Sequence, residues 1–248
     1  MSVHIADGVV RRPAGPWTPA VHALLRWFEH VGFDGAPRVV GVDGDCEVLT
    51  FVPGEARGGE PIPRGDEVVA TVGALLRRMH DAQARFVPPR DARWQALPRA
   101  VRGSDEVICH NDALGSNTIF RDGVPVALVD WELAAPGPRV VDLVAPASFW
   151  VPLRPDEDVL RHGLPTGHRP ERLGALCDGY GLERRERASF LAAVERVLSS
   201  WREAYRLWGG VERRERWRDA FDAGRCASID RNLAWLAANR RELETGLA

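Results

Sequence analysis

One stretch near the middle of the chain, Val107 to Leu143, constrains everything around it: VICHNDALGSNTIFRDGVPVALVDWELAAPGPRVVDL. It opens on the apolar run Val107-Ile108-Cys109, which reads as a strand. His110, Asn111 and Asp112 follow, and Asn117 comes five positions after Asp112. Ile119-Phe120 and Val126 to Val129 flank the turn Arg121-Asp122-Gly123, and two β-rich runs joined by a glycine-containing turn read as a hairpin. Asp130 stands at the end of the second strand, with Glu132 two residues on. Any fold built on this chain must bring a strand, a polar loop and a hairpin together and place three carboxylates and an amide at their junction.

That spacing suits phosphoryl transfer. An Asp just after a strand can accept the proton of an acceptor hydroxyl, and an Asn five residues later can reach back to a metal. A carboxylate carried in on the neighbouring strand can hold the same ion against nucleotide phosphates. Mg²⁺ is a hard ion that takes oxygen ligands, usually one or two carboxylates plus phosphate. Positioning and charge neutralisation are most of what such a reaction needs. The competing reading makes Asp112 and Asn117 turn and cap residues of an unrelated loop.

His110-x-Asp112-x4-Asn117 followed by Asp130-Trp131-Glu132 resembles the signature of the aminoglycoside phosphotransferase and choline kinase superfamily, small-molecule kinases with a protein-kinase-like fold. The resemblance implies Asp112 as catalytic base and Asn117 and Asp130 as Mg²⁺ ligands, with Glu132 where many members carry a second acidic residue. Pro136-Gly137-Pro138 and then Asp142-Leu143 are similar to the segment that follows in that family. There the later Asp, here Asp142, braces the loop, and His110 supports it by packing and hydrogen bonding. The cofactors implied are Mg²⁺ and ATP or GTP. The partner implied is a small molecule bearing a hydroxyl, such as an aminoglycoside-like antibiotic or another hydroxylated metabolite.

Composition bounds the remaining classes. The chain has 248 residues, enough for two lobes around a sizeable core. It is 45% hydrophobic and 27% charged, an ordinary globular balance. A net charge of −2 leaves no footprint for nucleic acid or an anionic membrane. No apolar run approaches the roughly 20 residues that span a bilayer, and the N-terminus lacks the apolar core of a signal peptide, so a cytoplasmic location is the default. Cys46, Cys109, Cys177 and Cys226 are scattered without ligand-like spacing.

The chain also contains no lysine; all 33 of its basic residues are arginine. The family it resembles uses a strand lysine to hold nucleotide phosphates and a helix glutamate to hold that lysine. If Val9-Val10-Arg11-Arg12 replaces the lysine strand, Arg11 or Arg12 is the phosphate contact, against the alternative that both are exposed strand-end charges. A guanidinium can grip phosphate bidentately but is not interchangeable with an ammonium. The N-terminus has room for about one strand and carries no glycine-rich GxGxxG loop. The helix predicted from Thr18, with Thr18 as its N-cap, to His30 has Glu29 as its only glutamate, near the wrong end, whereas His22 lies nearer the place of the missing partner.

Ala36 to Val42 and Glu47 to Val52 read as paired strands around Asp43-Gly44-Asp45. By the resemblance, Thr50, Phe51 and Val52 would offer backbone groups to a nucleotide base. Residues 56 to 65 are the expected interlobe loop, and a helix is predicted over 66 to 84. A short helix is expected near 94 to 100, an irregular stretch over 151 to 172, and further helices over 140–150, 173–180, 186–207 and 213–244. Asp156, Glu157 and Asp158 could form an acidic patch for a cationic substrate or a plain solvated cap. Trp201, Trp208, Trp217, Phe221 and Trp235 recur on the late helices as core or as pocket lining. The fold class expected is α+β, protein-kinase-like and two-lobed: a reduced β-rich N-lobe over 1–55 and a mostly helical C-lobe over 56–248, with the catalytic hairpin at 107–143. A second functional class stays open, a ligand-binding or antibiotic-immunity protein that keeps the scaffold without the activity. The missing lysine, glycine-rich loop and helix glutamate motivate it.

Overall fold

The structure, a computed structural model, describes residues 3–56, 66–98, 106–161 and 166–248. β1 (His4–Ala6) and β2 (Val9–Pro13) form a hairpin. Its turn residues Asp7 and Gly8 both take positive φ, 52° and 74°. This is the two-residue geometry whose twist matches that of the flanking strands. The N-terminus therefore holds two strands where the sequence suggested room for one; three residues of His-Ile-Ala carry too little periodicity to be recognised alone. β3 (Val39–Asp43) and β4 (Cys46–Thr50) follow, and the antiparallel sheet runs β1-β2-β4-β3.

Helix α1 (Thr18–His30) packs against this part of the molecule through Val21, Leu24, Leu25 and Phe28, all essentially buried. Each such side chain contributes on the order of 1.5–3 kcal/mol by leaving water. The residue at the N-cap is Trp17, not Thr18, whose hydroxyl instead accepts a hydrogen bond from the Gly15 amide at 2.9 Å. Phe28 also meets Phe33 and Trp131 at ring-centroid distances of 4.9 and 5.5 Å, tying α1 to the central segment.

That central segment is built from two small sheets. β6 (Glu106–Cys109) pairs antiparallel with β9 (Ala135–Pro138). The prolines of β9 are tolerated because the strand lies at an edge. The free side of β6 is met by Gln83, whose amide accepts from Ile108 N–H at 2.6 Å and donates to Ile108 C=O at 3.0 Å. β7 (Thr118–Arg121) and β8 (Val124–Leu128) form the expected hairpin over Asp122-Gly123. β5 (Glu55–Ala56) adds to the outside of β7, pairing Glu55 with Phe120 and Ala56 with Ile119.

The rest is helical: α2 (Asp66–Ala82), α3 (Arg139–Asp142), α4 (Val144–Trp150), α5 (Asp156–Arg161), α6 (Arg169–Tyr180), α7 (Arg184–Ala204), α8 (Glu215–Asp222) and α9 (Arg225–Thr245). α2 and α6 touch backbone to backbone. A side chain at Gly73 would run into the Leu176 carbonyl, and one at Gly179 into the Ala70 carbonyl. α7 continues directly into a π-helical segment, Tyr205–Val211. A mixed architecture results, with a small sheet-containing N-terminal part and a helical C-terminal part.

Several local expectations change. The Pro-rich stretch 151–172 contains α5 and the start of α6, because Pro155 precedes the helix where a missing N–H costs nothing. The helix expected over 213–244 breaks at Gly224, which takes φ 82°. Residues 94–98 are not helical, and Arg99 and Ala100 lie outside the described residues, as does the expected interlobe loop apart from Ala56. Among the described residues no helix is long and apolar enough to cross a membrane.

Candidate functional site

The loop after β6 is held by one buried carboxylate. Asp142, on α3, is fully buried. Its Oδ2 accepts from the His110 amide at 2.7 Å and from His80 Nε2 at 3.0 Å, and its Oδ1 accepts from the Asn111 amide at 2.7 Å. Burial alone would raise this carboxyl, but the His80 bond and the nearby imidazoles outweigh it and hold it below its ordinary value. These bonds fix Asn111 in the left-handed region, φ 63°, where its side-chain amide donates to Leu133 C=O at 2.9 Å. His80 Nδ1 lies 2.7 Å from the Tyr180 hydroxyl. Cys109, His80 and Asp142 bring ligand-type atoms within 4.8 Å of one another. Burial and the Asp142 charge push the Cys109 thiol well up, and His80 and Asp142 are already bonded to each other, so the cluster serves as a hydrogen-bonded brace.

His110 is buried beneath the loop. Its Nε2 donates to Val129 C=O at 3.0 Å and its Nδ1 accepts from the Asp112 amide at 3.3 Å, while its ring meets Trp131 edge-on at 4.6 Å. Burial lowers its pKa, so the imidazole stays neutral. Asp112 and Asn117 are joined directly: Asn117 Nδ2 donates to Asp112 Oδ2 and to Asp112 C=O, both at 2.9 Å. With the amide protons used this way, Oδ1 is the Asn117 atom available as a ligand.

Asp130 lies two residues beyond β8, just before the 3₁₀ turn, in the left-handed region, φ 65° and ψ 66°. A non-glycine residue held there costs of order 1 kcal/mol or more. Trp131 holds the turn in place, fully buried and donating from Nε1 to Leu128 C=O at 3.0 Å. Glu132 follows in the short 3₁₀ turn, half-buried, and belongs to the wall of neither cavity described below.

Arg12 reaches this carboxylate from the N-terminal sheet. Its Nη1 pairs with Asp130 Oδ1, and its Nε donates to Glu47 Oε1 at 2.6 Å. Glu47, on β4, is 1% exposed, and its Oε2 lies 2.8 Å from His22 Nε2. Burial would raise the Glu47 carboxyl, but the His22 hydrogen bond and the Arg12 guanidinium outweigh it and keep it below its usual range. The Arg12 Nη2 atom is buried without a partner among the described residues. Arg11, one residue back, points to the other face of the strand, as alternation requires; Val10 and Arg12 share the cavity wall.

Two cavities meet here. One, of about 330 Å³, lies between the N-terminal sheet and the hairpin, walled by Val10, Arg12, Leu49, Thr50, Phe51, Val52, Ile119 and Asp130 among others. At its rim the Thr50 and Phe51 amides are already bonded, to Arg38 C=O at 2.9 Å and Gly8 C=O at 2.8 Å. The second, of about 390 Å³, lies on the helical side between Asp112, Ser116, Trp201, Tyr205 and Trp217. Asn117 and Asp130 belong to both walls.

The acidic run is not part of either. Asp158 is buried and paired with Arg161 at 2.5 Å, and Asp156 pairs with Arg169 at 2.7 Å. It caps and anchors α5, the plainer of the two sequence readings.

The trifolitoxin immunity protein of Rhizobium leguminosarum bv. trifolii is 34% identical to this chain over 251 residues, covering 97% of this chain and 93% of that one. The model of the phosphotransferase enzyme family matches residues 90–191, which include the whole loop and hairpin. The chain belongs to the phosphotransferase enzyme family. The fold of this phosphotransferase-family chain is that of the kinase-like solved structures. A choline/ethanolamine kinase family protein from Mesorhizobium loti superposes with a TM-score of 0.61 at 17% identity, covering 99% of this chain and 87% of that one. An amicoumacin kinase in complex with AMP-PNP, Ca²⁺ and Ami gives 0.62 at 13% identity, covering 91% and 80%.

Within this family member, Glu47 and Tyr205 escaped the sequence reading, while Trp201 and Trp217, read there as core or pocket lining, line the helical cavity. Glu47 lies 35 residues from Arg12 and joins it only through the β2–β4 register, which pairs Arg12 with Glu47. That register was the one available signal: a glutamate opposite an arginine on adjacent strands.

Proposed function

We propose that the protein transfers the γ-phosphate of ATP or GTP to a hydroxyl group of a small molecule. The observation that carries this is the meeting of the two cavities at Asn117 and Asp130, with Asp112 on the wall of the helical one. In this reading the sheet-side cavity takes the nucleotide. Val52, whose backbone amide makes no hydrogen bond among the described residues, faces the base together with the carbonyls of Thr50 and Phe51. Arg12 takes the place of the phosphate-binding lysine and Arg11 does not, because Nη2 is the buried donor that awaits an acceptor.

The donor set at the junction is all oxygen, Asn117 Oδ1 and the Asp130 carboxylate, which fits a hard ion such as Mg²⁺. Bound there, Mg²⁺ would neutralise phosphate charge as the terminal group moves. Glu132 supports that ion only indirectly, since it walls neither cavity. Asp112, oriented by the Asn117 amide, accepts the proton of the acceptor hydroxyl. The acceptor oxygen forms its bond to the γ-phosphorus, the bond to the bridging oxygen breaks, and the nucleoside diphosphate leaves. Fixed charge placed where negative charge accumulates supplies most of the rate.

A second reading, a protein that holds an antibiotic without turning it over, is favoured by the Arg12–Asp130 pair, in which the cleft's cation already occupies a carboxylate needed for the ion. The immunity protein among its relatives fits either reading. Calorimetry with ATP and GTP, with and without Mg²⁺, separates them. Transfer predicts Mg²⁺-dependent nucleotide binding that Asp130→Ala loses. Absence of binding at millimolar nucleotide would leave only the holding role.

A further inference from the structure

The helical cavity says more about its occupant than that it carries a hydroxyl. Its far wall is a continuous aromatic surface. Trp201 and Trp217 are stacked with centroids 5.9 Å apart at 29°, Tyr205 lies 5.1 Å from Trp217, and Trp208, buried behind the wall, backs Trp217 edge-on at 4.7 Å. The wall is purpose-built in the local backbone. Tyr205 and Trp208 sit on the π-helical segment that prolongs α7, and such wide turns recur at functional sites. Gly209 and Gly210 let α8 close onto that segment; a side chain at Gly209 would run into the Trp217 carbonyl, and one at Gly210 into the Phe221 ring.

The charges around this wall argue against a cationic occupant. Among the described residues lining the cavity, only Asp112 and Asp130 are acidic, and Asp130 is engaged by Arg12. Asp156 and Asp158 are paired with arginines away from the cavity. Of the lining rings Tyr205 already has a guanidinium over it, that of Arg225 at 5.9 Å, and behind the wall Arg214 stands over Trp208 at 5.0 Å. An aromatic cage must enclose a quaternary ammonium on several sides and a polycation needs several carboxylates, whereas a flat body needs only the one face of each ring that no guanidinium covers. Burial also raises the Tyr205 phenol, which therefore remains a neutral hydroxyl.

We infer that the acceptor is an uncharged molecule with a planar, aromatic or conjugated body, stacked on Trp201, Tyr205 and Trp217, with its hydroxyl directed to Asp112. This rests on the transfer reading for the role of Asp112 but not for the stacking itself. The test is calorimetric binding to the full chain of three neutral aryl alcohols (chloramphenicol, tyrosol and 4-methylumbelliferyl β-glucoside) against kanamycin and choline. The aryl compounds should bind more tightly than either cation. Trp201→Leu should weaken them roughly tenfold, the scale of one lost stacking contact. Tyr205→Leu serves as the second variant, with circular dichroism confirming that each folds, and Tyr205→Phe should retain binding. Tighter binding of kanamycin or choline, aryl affinities unmoved in both leucine variants, or no aryl binding at millimolar concentration would each overturn the inference. Aryl binding that persists while no nucleotide supports phosphorylation would instead overturn the transfer reading and leave the aromatic site standing.

Discussion

Replacing Asp142 by asparagine tests whether one buried carboxylate holds the loop. The wild-type side chain accepts three hydrogen bonds, two from backbone amides and one from His80. Asparagine offers one oxygen. Its better orientation keeps that oxygen toward the His110 amide and His80 and turns its NH₂ against the Asn111 amide, donor to donor. A buried amide left without an acceptor costs about 1–3 kcal/mol, and the two surviving bonds lose their charge assistance, roughly 1 kcal/mol each. The sum, about 3–5 kcal/mol, is a large part of the 5–15 kcal/mol typical of a folded domain. Urea denaturation should show it, and hydrogen exchange should show lost protection at the Asn111 amide, whose left-handed backbone then relaxes. The acid limb should change as well. The Asp142 carboxyl is held below its ordinary value of 3.8, so its stabilisation is present above that pH and lost as pH falls through the folded value. Buried neutral His110, lowered from 6.5, adds an earlier loss as pH drops below that value, because the unfolded chain then binds a proton that the folded one refuses. Asp142→Asn should keep the His110 stage and flatten the later one. A loss under about 1 kcal/mol with Asn111 protection intact would refute the reasoning.

Glu47→Gln keeps the shape at Arg12 but removes the charge, so we expect a destabilisation of about 2 kcal/mol in denaturant together with weaker nucleotide binding. In an Arg12→Ala background the same substitution should cost no further nucleotide affinity, and an additive loss by calorimetry would show that Glu47 does not act through Arg12. Gly209→Ala should push α8 off the π-helical segment, cost about 1–3 kcal/mol and shift tryptophan emission to the red as Trp217 becomes wetter; an unchanged spectrum would contradict the close packing described.

The sequence made the central segment legible because its signals are local. Asp112 and Asn117 are five residues apart, the Asp122-Gly123 turn fixes the hairpin register, and Asp130 falls at a strand end, so their convergence needs only short-range geometry. Asp142 and His80 were harder, since their bond spans 62 residues, yet the Asp-Leu pattern pointed to the first. The Arg12–Glu47–His22 cluster depends on strand register and on the approach of α1, neither of which periodicity encodes. The tryptophans show a further limit: a ring at helical spacing has the same pattern whether it fills a core or faces a cavity. The π-helical turn that decides between them at Tyr205 arises from the packing of α8 on Gly209 and Gly210.

The short ladder between β5 and β7 has a mechanical meaning. The chain leaving the cleft rim is bonded at Glu55 and Ala56 to the strand that follows Asn117. Two more ties reinforce it, from Arg121 Nε to Pro53 C=O and from the Leu128 amide to Gly35 C=O, both at 2.9 Å. The rim that would meet a base and the hairpin that carries Asn117 and Asp130 therefore form a single stiff plate. β2 is laddered to β4 from Val9 to Pro13 and the Gly8 carbonyl accepts from the Phe51 amide, so the N-terminal sheet is joined to that plate through the rim, and the Arg12–Asp130 contact pins it a second time from the cleft side.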